Sequence, residues 1–135
     1  MYKTTRAETP SDPTIPERPG GEGMRVHWLA DRNHGGTETA VFNVTEFPPG
    51  RAHELHRHAR AEEYFYVLKG RGLHLTESAP VELEPGDLVL IPKAEWHGFA
   101  NNTHEPTLVV TVLGGVADYQ AAGYEVHPHQ PDWSS

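Results

Sequence analysis

The chain has no cysteine in its 135 residues. That excludes disulfides, thiolate metal sites and cysteine nucleophiles together. Positive charge is scarce as well: 11 lysines and arginines stand against 19 acids, a formal charge of −8 with histidine neutral. No basic run interrupts this balance, so no nucleic-acid partner is expected. No apolar run approaches the ~20 residues of a membrane span, and the first residues lack the apolar core of a signal peptide. A soluble, cytoplasmic protein with no membrane partner is the expectation. Nucleophile motifs, phosphate loops and dinucleotide fingerprints are also missing. Chemistry on this chain therefore has to run through a bound metal. What the chain does have is histidine, ten in all, a side chain that ligates transition metals at neutral pH.

The length suits one domain, able to bury roughly two thirds of its unfolded surface. Residues 1–23 are polar and carry Pro10, Pro13, Pro16 and Pro19 at every third position. That period matches polyproline II and reads as an extended arm, either solvated or lying along its own barrel or a neighbouring subunit. Residues 24–115 change to short β-like runs at 26–29, 39–47, 52–58, 64–68, 73–76, 81–83, 88–91, 98–101 and 108–113. Turn chemistry separates them, with Pro85–Gly86 set for the centre of a type II turn. Many short strands with no helical period predict an antiparallel sandwich or barrel. The run 88–91 is apolar at every position, as in a strand covered on both sides. Residues 116–135 form a second proline-broken tail, with one weak helical candidate at 116–122 and with Trp133 as a barrel plug or interface anchor.

His56 and His58 are two apart, so an extended strand places both imidazoles on one face. A carboxylate follows at Glu62 or Glu63, then a strand rich in β-formers that ends at Gly70. A hairpin there returns the carboxylate beside the histidines, and His97 follows a strand closed by Pro92. Three neutral imidazoles and one carboxylate suit a first-row transition metal better than calcium or magnesium. Within the chain, His127-Pro128-His129 repeats the spacing without a strand or a nearby carboxylate.

The pattern Gly50-x5-His56-x-His58-x4-Glu63-x6-Gly70 resembles the first motif of the cupin superfamily. Gly86-x5-Pro92-x-Ala94-x2-His97-x3-Asn101 resembles the second, with Ala94 in place of a glycine. The resemblance implies an all-β double-stranded β-helix, a jelly-roll barrel with extended N- and C-terminal tails. It further implies one divalent ion (Fe, Zn, Ni, Mn or Cu) on His56, His58, Glu63 and His97. The six-residue gap to Gly70 selects Glu63 over Glu62, and so does strand parity, which turns Glu63, Phe65 and Val67 inward. Phe65, Val67, His74 and Phe99 are the candidate substrate pocket. His53 has the opposite parity to His56 and is expected to face away. Tyr64, Tyr66 and Trp96 are expected outside the barrel or in a subunit contact.

The function implied is a metal-dependent enzyme for a small organic molecule, aromatic ones included. An Fe(II)-type dioxygenase comes first, with Glu63 able to act as catalytic base. A non-redox cyclase, isomerase or lyase is the alternative, and a metal-containing binding protein the third reading. Small barrels of this kind pair, so a homodimer is expected, with the arm or strand 108–113 contributing.

Overall fold

The computed structural model of the protein describes residues 1–133. Ten strands run through them: β1 (Arg25–Ala30), β2 (Ala40–Phe47), β3 (Ala52–Arg57), β4 (Glu62–Lys69), β5 (Gly72–Leu75), β6 (Val81–Leu83), β7 (Leu88–Ile91), β8 (His97–Ala100), β9 (Thr107–Gly114) and β10 (Glu125–Val126). One short helix, α1 (Tyr119–Ala122), precedes β10. The strands form two five-stranded sheets, ordered β1-β2-β9-β4-β7 and β10-β3-β8-β5-β6. Every strand pairing is antiparallel. From β2 onward the chain crosses between sheets at every connection but the β5–β6 hairpin, which winds it into a double-stranded β-helix. No helix among the described residues is long and apolar enough to cross a membrane.

Side-chain alternation sets the inside of this barrel. Along β4, Glu63, Phe65 and Val67 are buried while Tyr64 and Tyr66 are exposed, and β9 alternates likewise. Between the sheets, Phe47, Phe65 and Phe99 meet with ring centroids 4.8 and 5.0 Å apart, packed with Val26, Val67, Ile91 and Val109. Each such side chain stabilises by roughly 1.5–3 kcal/mol when taken fully from water. Apolar residues therefore close one end of the barrel and leave the other for the site.

Three expectations need correction. The strand β7 is covered on one face only: Leu88 and Leu90 are more than half exposed, because they lie on the outer face of the first sheet beside the exposed Tyr66 and Tyr64 of β4. The arm is not a polyproline helix, since two 3-10 turns, Arg6–Glu8 and Ile15–Glu17, interrupt it. It docks on its own barrel instead, through Asp12 N to Val26 O (2.8 Å), Ala52 N to Gly20 O (2.9 Å) and the buried Ile15. Trp133 is not a barrel plug. It packs with Trp96 on Ala52, Leu55, Leu73, Leu75 and Ala100, on the face of the second sheet turned away from the interior.

The Glu84–Asp87 turn forms as its Pro-Gly pair dictates, with Gly86 at φ 94° and Asp87 N donating to Glu84 O at 3.0 Å. Ala94 also has positive φ, at 64°, in the left-handed region that favours glycine. Ala94→Gly should raise stability by about 0.5–1 kcal/mol, the relieved strain less the added chain entropy. Urea unfolding reads this out; an unchanged midpoint would mean that the loop holds alanine without strain.

Candidate metal centre

Strand register brings the histidines together. His56 on β3 and His97 on β8 are paired directly opposite, with ring centroids 4.2 Å apart. His58 lies just past the end of β3, 4.9 Å from His56 and 5.3 Å from His97 by centroids. One ligand nitrogen from each lies within 4.8 Å of the others. Glu63 arrives from the other sheet on β4, its Oε1 3.4 Å from His58 Nε2 and its Oε2 3.5 Å from His97 Nε2. Glu62 is turned away and accepts a hydrogen bond from Tyr64 at 3.0 Å.

The rings are held from behind. Nδ1 of His56 meets Glu54 O at 2.6 Å, that of His58 meets Gly123 O at 2.6 Å, and that of His97 meets Glu95 O at 3.0 Å. A carbonyl can only accept, so each Nδ1 carries the hydrogen and each Nε2 turns a lone pair inward. Nε2 of His56 and of His97 is buried with no hydrogen-bond partner. Leaving such atoms unpaired costs about 1–3 kcal/mol each. Three converging imidazole lone pairs beside a carboxylate fit a divalent transition ion, which would accept them.

The charges follow from burial and proximity. Burial pushes the Glu63 carboxyl up, but His97 and His58 outweigh it and hold it well below the usual carboxylate range. Burial lowers the His97 imidazole, and Glu63 more than offsets this, leaving it raised. Burial and then neighbouring histidines depress His56 well below its ordinary value. His53 falls to about 3 through burial and the Arg18 charge, and His74 to about 4 through burial and His97.

These shifts make the metal-free protein acid-sensitive. An imidazole with a depressed folded pKa contributes stability that is present above pH ~6.5 and lost as pH falls toward the folded value. His53, His56 and His74 all act in this direction, His74 alone on the order of 3 kcal/mol by pH 4. His97 acts oppositely, stabilising at low pH, and offsets part of the loss. Urea unfolding in the presence of chelator should therefore show stability falling steadily from pH 7 to 4.5. A flat profile would contradict the burial of neutral imidazoles.

The chamber in front of the histidines is lined by Phe65, His74 and Phe99 from the predicted pocket. Val67 is not part of that lining. Two residues further along β4 than Phe65, it is wholly buried in the core at the closed end. His53 faces inward against expectation, stacked on His56 at 4.1 Å, because a register shift between His53 and His56 resets the parity of β3. Its Nε2 lies 3.2 Å from the Tyr124 hydroxyl, which donates to Glu54 Oε1 at 3.0 Å. Among the described residues lining the chamber there is no lysine or arginine. Its free volume is about 50 Å³, room for roughly three to five waters. A groove of about 590 Å³ lies outside it, sharing Ile15, Trp28 and Tyr119 as common walls.

Sequence reasoning also missed Asn43, Thr45 and Thr111, three buried polar residues in the lining. Their signal was present: they occupy inward positions of β2 and β9 where apolar residues otherwise alternate. Tyr119 and Arg18 carried no such signal. The His127–His129 pair makes no comparable cluster; His127 Nε2 meets Glu77 Oε2 at 3.1 Å, and His56, His58 and His97 are the one group found among the described residues.

Comparison with known proteins agrees with this geometry. The model of the family described as "Cupin domain" matches residues 43–113. An oxalate-binding protein of Thermotoga maritima is 28% identical over 97 residues, 70% of this chain and 80% of that one. An uncharacterized protein of Methanocaldococcus jannaschii is 33% identical over 63 residues, 47% of this chain, so the match spans only half (50%) of that relative's length. Among solved structures, the polyketide cyclase RemF from Streptomyces resistomycificus superposes with a TM-score of 0.79 at 21% identity, covering 99% of this chain and 90% of its own. At that identity the likeness speaks for the fold, tails included.

Proposed function

Because the chain belongs to the cupin family, we propose that it is a metal-dependent enzyme acting on a neutral, oxygen-bearing organic molecule by non-redox chemistry, a ring closure or isomerisation. The observation that carries this reading is the convergence of three imidazole lone pairs on one point of an apolar chamber without a lysine or arginine. His56, His58 and His97 would hold the ion, with Glu63 as the proposed fourth ligand. A divalent ion there would supply Lewis acidity toward a carbonyl oxygen.

The protein's own groups account for the rest. Glu63 is held anionic, which suits a ligand and counter-charge better than a base. His74, neutral through burial and pushed down to about 4, lines the same chamber, where it can hydrogen-bond the substrate but is too weak a base to take its proton at neutral pH. The inner chamber admits only the reacting end of a ring-sized molecule; the remainder lies in the outer groove. The fold that this chain shares with a polyketide cyclase is one that accommodates such non-redox chemistry.

Elemental analysis of protein purified without added metal, followed by assays of enolisable aromatic ketones in air and under nitrogen, tests the proposal. A bound divalent metal with equal turnover in both atmospheres is expected. Oxygen uptake matching substrate consumption would overturn the non-redox reading in favour of a dioxygenase. Protein free of metal and unable to take it up would overturn both.

A further inference from the structure

Three buried side-chain polar atoms among the described residues have no hydrogen-bond partner: His56 Nε2, His97 Nε2 and the Tyr119 hydroxyl. The first two belong to the metal centre. The third lies beside the Arg18 guanidinium, which can only donate to its oxygen, so its hydrogen has no acceptor among the described residues, and an unpaired buried donor is as costly as an unpaired imidazole nitrogen. Its neighbour Tyr124 is different, since that hydroxyl is engaged by Glu54 and His53.

Tyr119 is also fixed in place. It opens α1, whose N-cap Asp118 accepts a hydrogen bond from Ala121 N at 2.8 Å. Its ring stands edge-on to His58, with centroids 5.6 Å apart at 75°, and packs on Trp28 at 5.2 Å. It forms part of the wall of both the metal chamber and the outer groove. A ligand passing from groove to histidines therefore passes Tyr119.

Resting on the reading above, we propose that the Tyr119 hydroxyl donates a hydrogen bond to an oxygen at the reacting end of the substrate, so that the ligand class is a carbonyl or phenol compound rather than an oxygen-free one. A phenol beside imidazoles that offer only lone pairs supplies the hydrogen-bond donor that such an oxygen requires.

The test uses the metal-loaded protein and two probes that bind a metal differently. 4-Nitrocatechol offers oxygens that can accept from Tyr119, and its visible spectrum reports binding. Imidazole binds through nitrogen and presents only an N–H outward, so it cannot accept from Tyr119. Tyr119→Phe should leave metal stoichiometry and imidazole affinity unchanged while raising the Kd of 4-nitrocatechol about tenfold or more. Unchanged 4-nitrocatechol affinity overturns the assignment, and so does an equal loss for both probes, which would mark a structural role. A loaded wild type that binds neither probe also overturns it. Wild type that takes up no metal overturns the proposed function itself, a result distinct from the other three.

Discussion

His97→Ala, and equally His56→Ala, should lower affinity for a divalent transition ion by more than 100-fold. Losing a group that merely orients a metal ligand costs about 10–100-fold, and these substitutions remove the lone pair itself. The fold should survive in both. The barrel core is held by apolar packing that neither imidazole supplies, and each imidazole removed has a buried Nε2 with no partner in the metal-free protein. Metal content by elemental analysis, read beside circular dichroism and melting temperature, separates the two effects. Wild-type metal content in either purified variant would refute the assignment of the centre. Acid should mimic the substitution: protons compete for the same lone pairs, so metal release is expected as pH falls from 7 toward 5.

Gly70→Ala should be the most damaging small change to stability. Gly70 joins β4 to β5 at φ 82°, where any Cβ is strained, and an added Cβ would fall on Pro106 O with Thr107 Cα 2.9 Å away. Those atoms are backbone and cannot rotate aside. Left-handed strain of ~1–2 kcal/mol and overpacking of ~1–3 kcal/mol together suggest a loss of roughly 3 kcal/mol. For a domain of this size that lowers Tm by about 10 °C or more. A melting temperature within 2–3 °C of wild type, on the order of 1 kcal/mol or less, would mean that the β4–β5 connection relaxes around the methyl group. The site should feel the change too, because β4 carries Glu63 and β5 carries His74.

Glu63 and His53 mark the boundary of what strand periodicity can reveal. Period-two reasoning turned Glu63 inward and Glu62 outward, and the structure places the Glu63 carboxylate between His58 and His97. The same reasoning turned His53 outward and failed, because a register irregularity inside β3 carries no mark in the residue types. Val67 kept its inward parity and still missed the pocket, since parity fixes a face and not a depth along the barrel. Leu88 and Leu90 show the converse: an apolar run identifies a strand, while what packs on the outer face of its sheet decides whether both faces are covered.

From the sequence alone came an all-β sandwich or barrel, the turn at Pro85–Gly86 and the placing of His56 and His58 on one strand face, which rest on turn chemistry and a side-chain period of two. The barrel class and the full ligand set came through the resemblance to the cupin superfamily. The tertiary structure decided how the arm folds back, which wall closes the chamber, how small that chamber is, and why Tyr119 stands beside His58, sixty-one positions earlier in the chain. Those features depend on contacts between distant segments, whose energies arise only when the chain is closed upon itself, and no local pattern of residues encodes them.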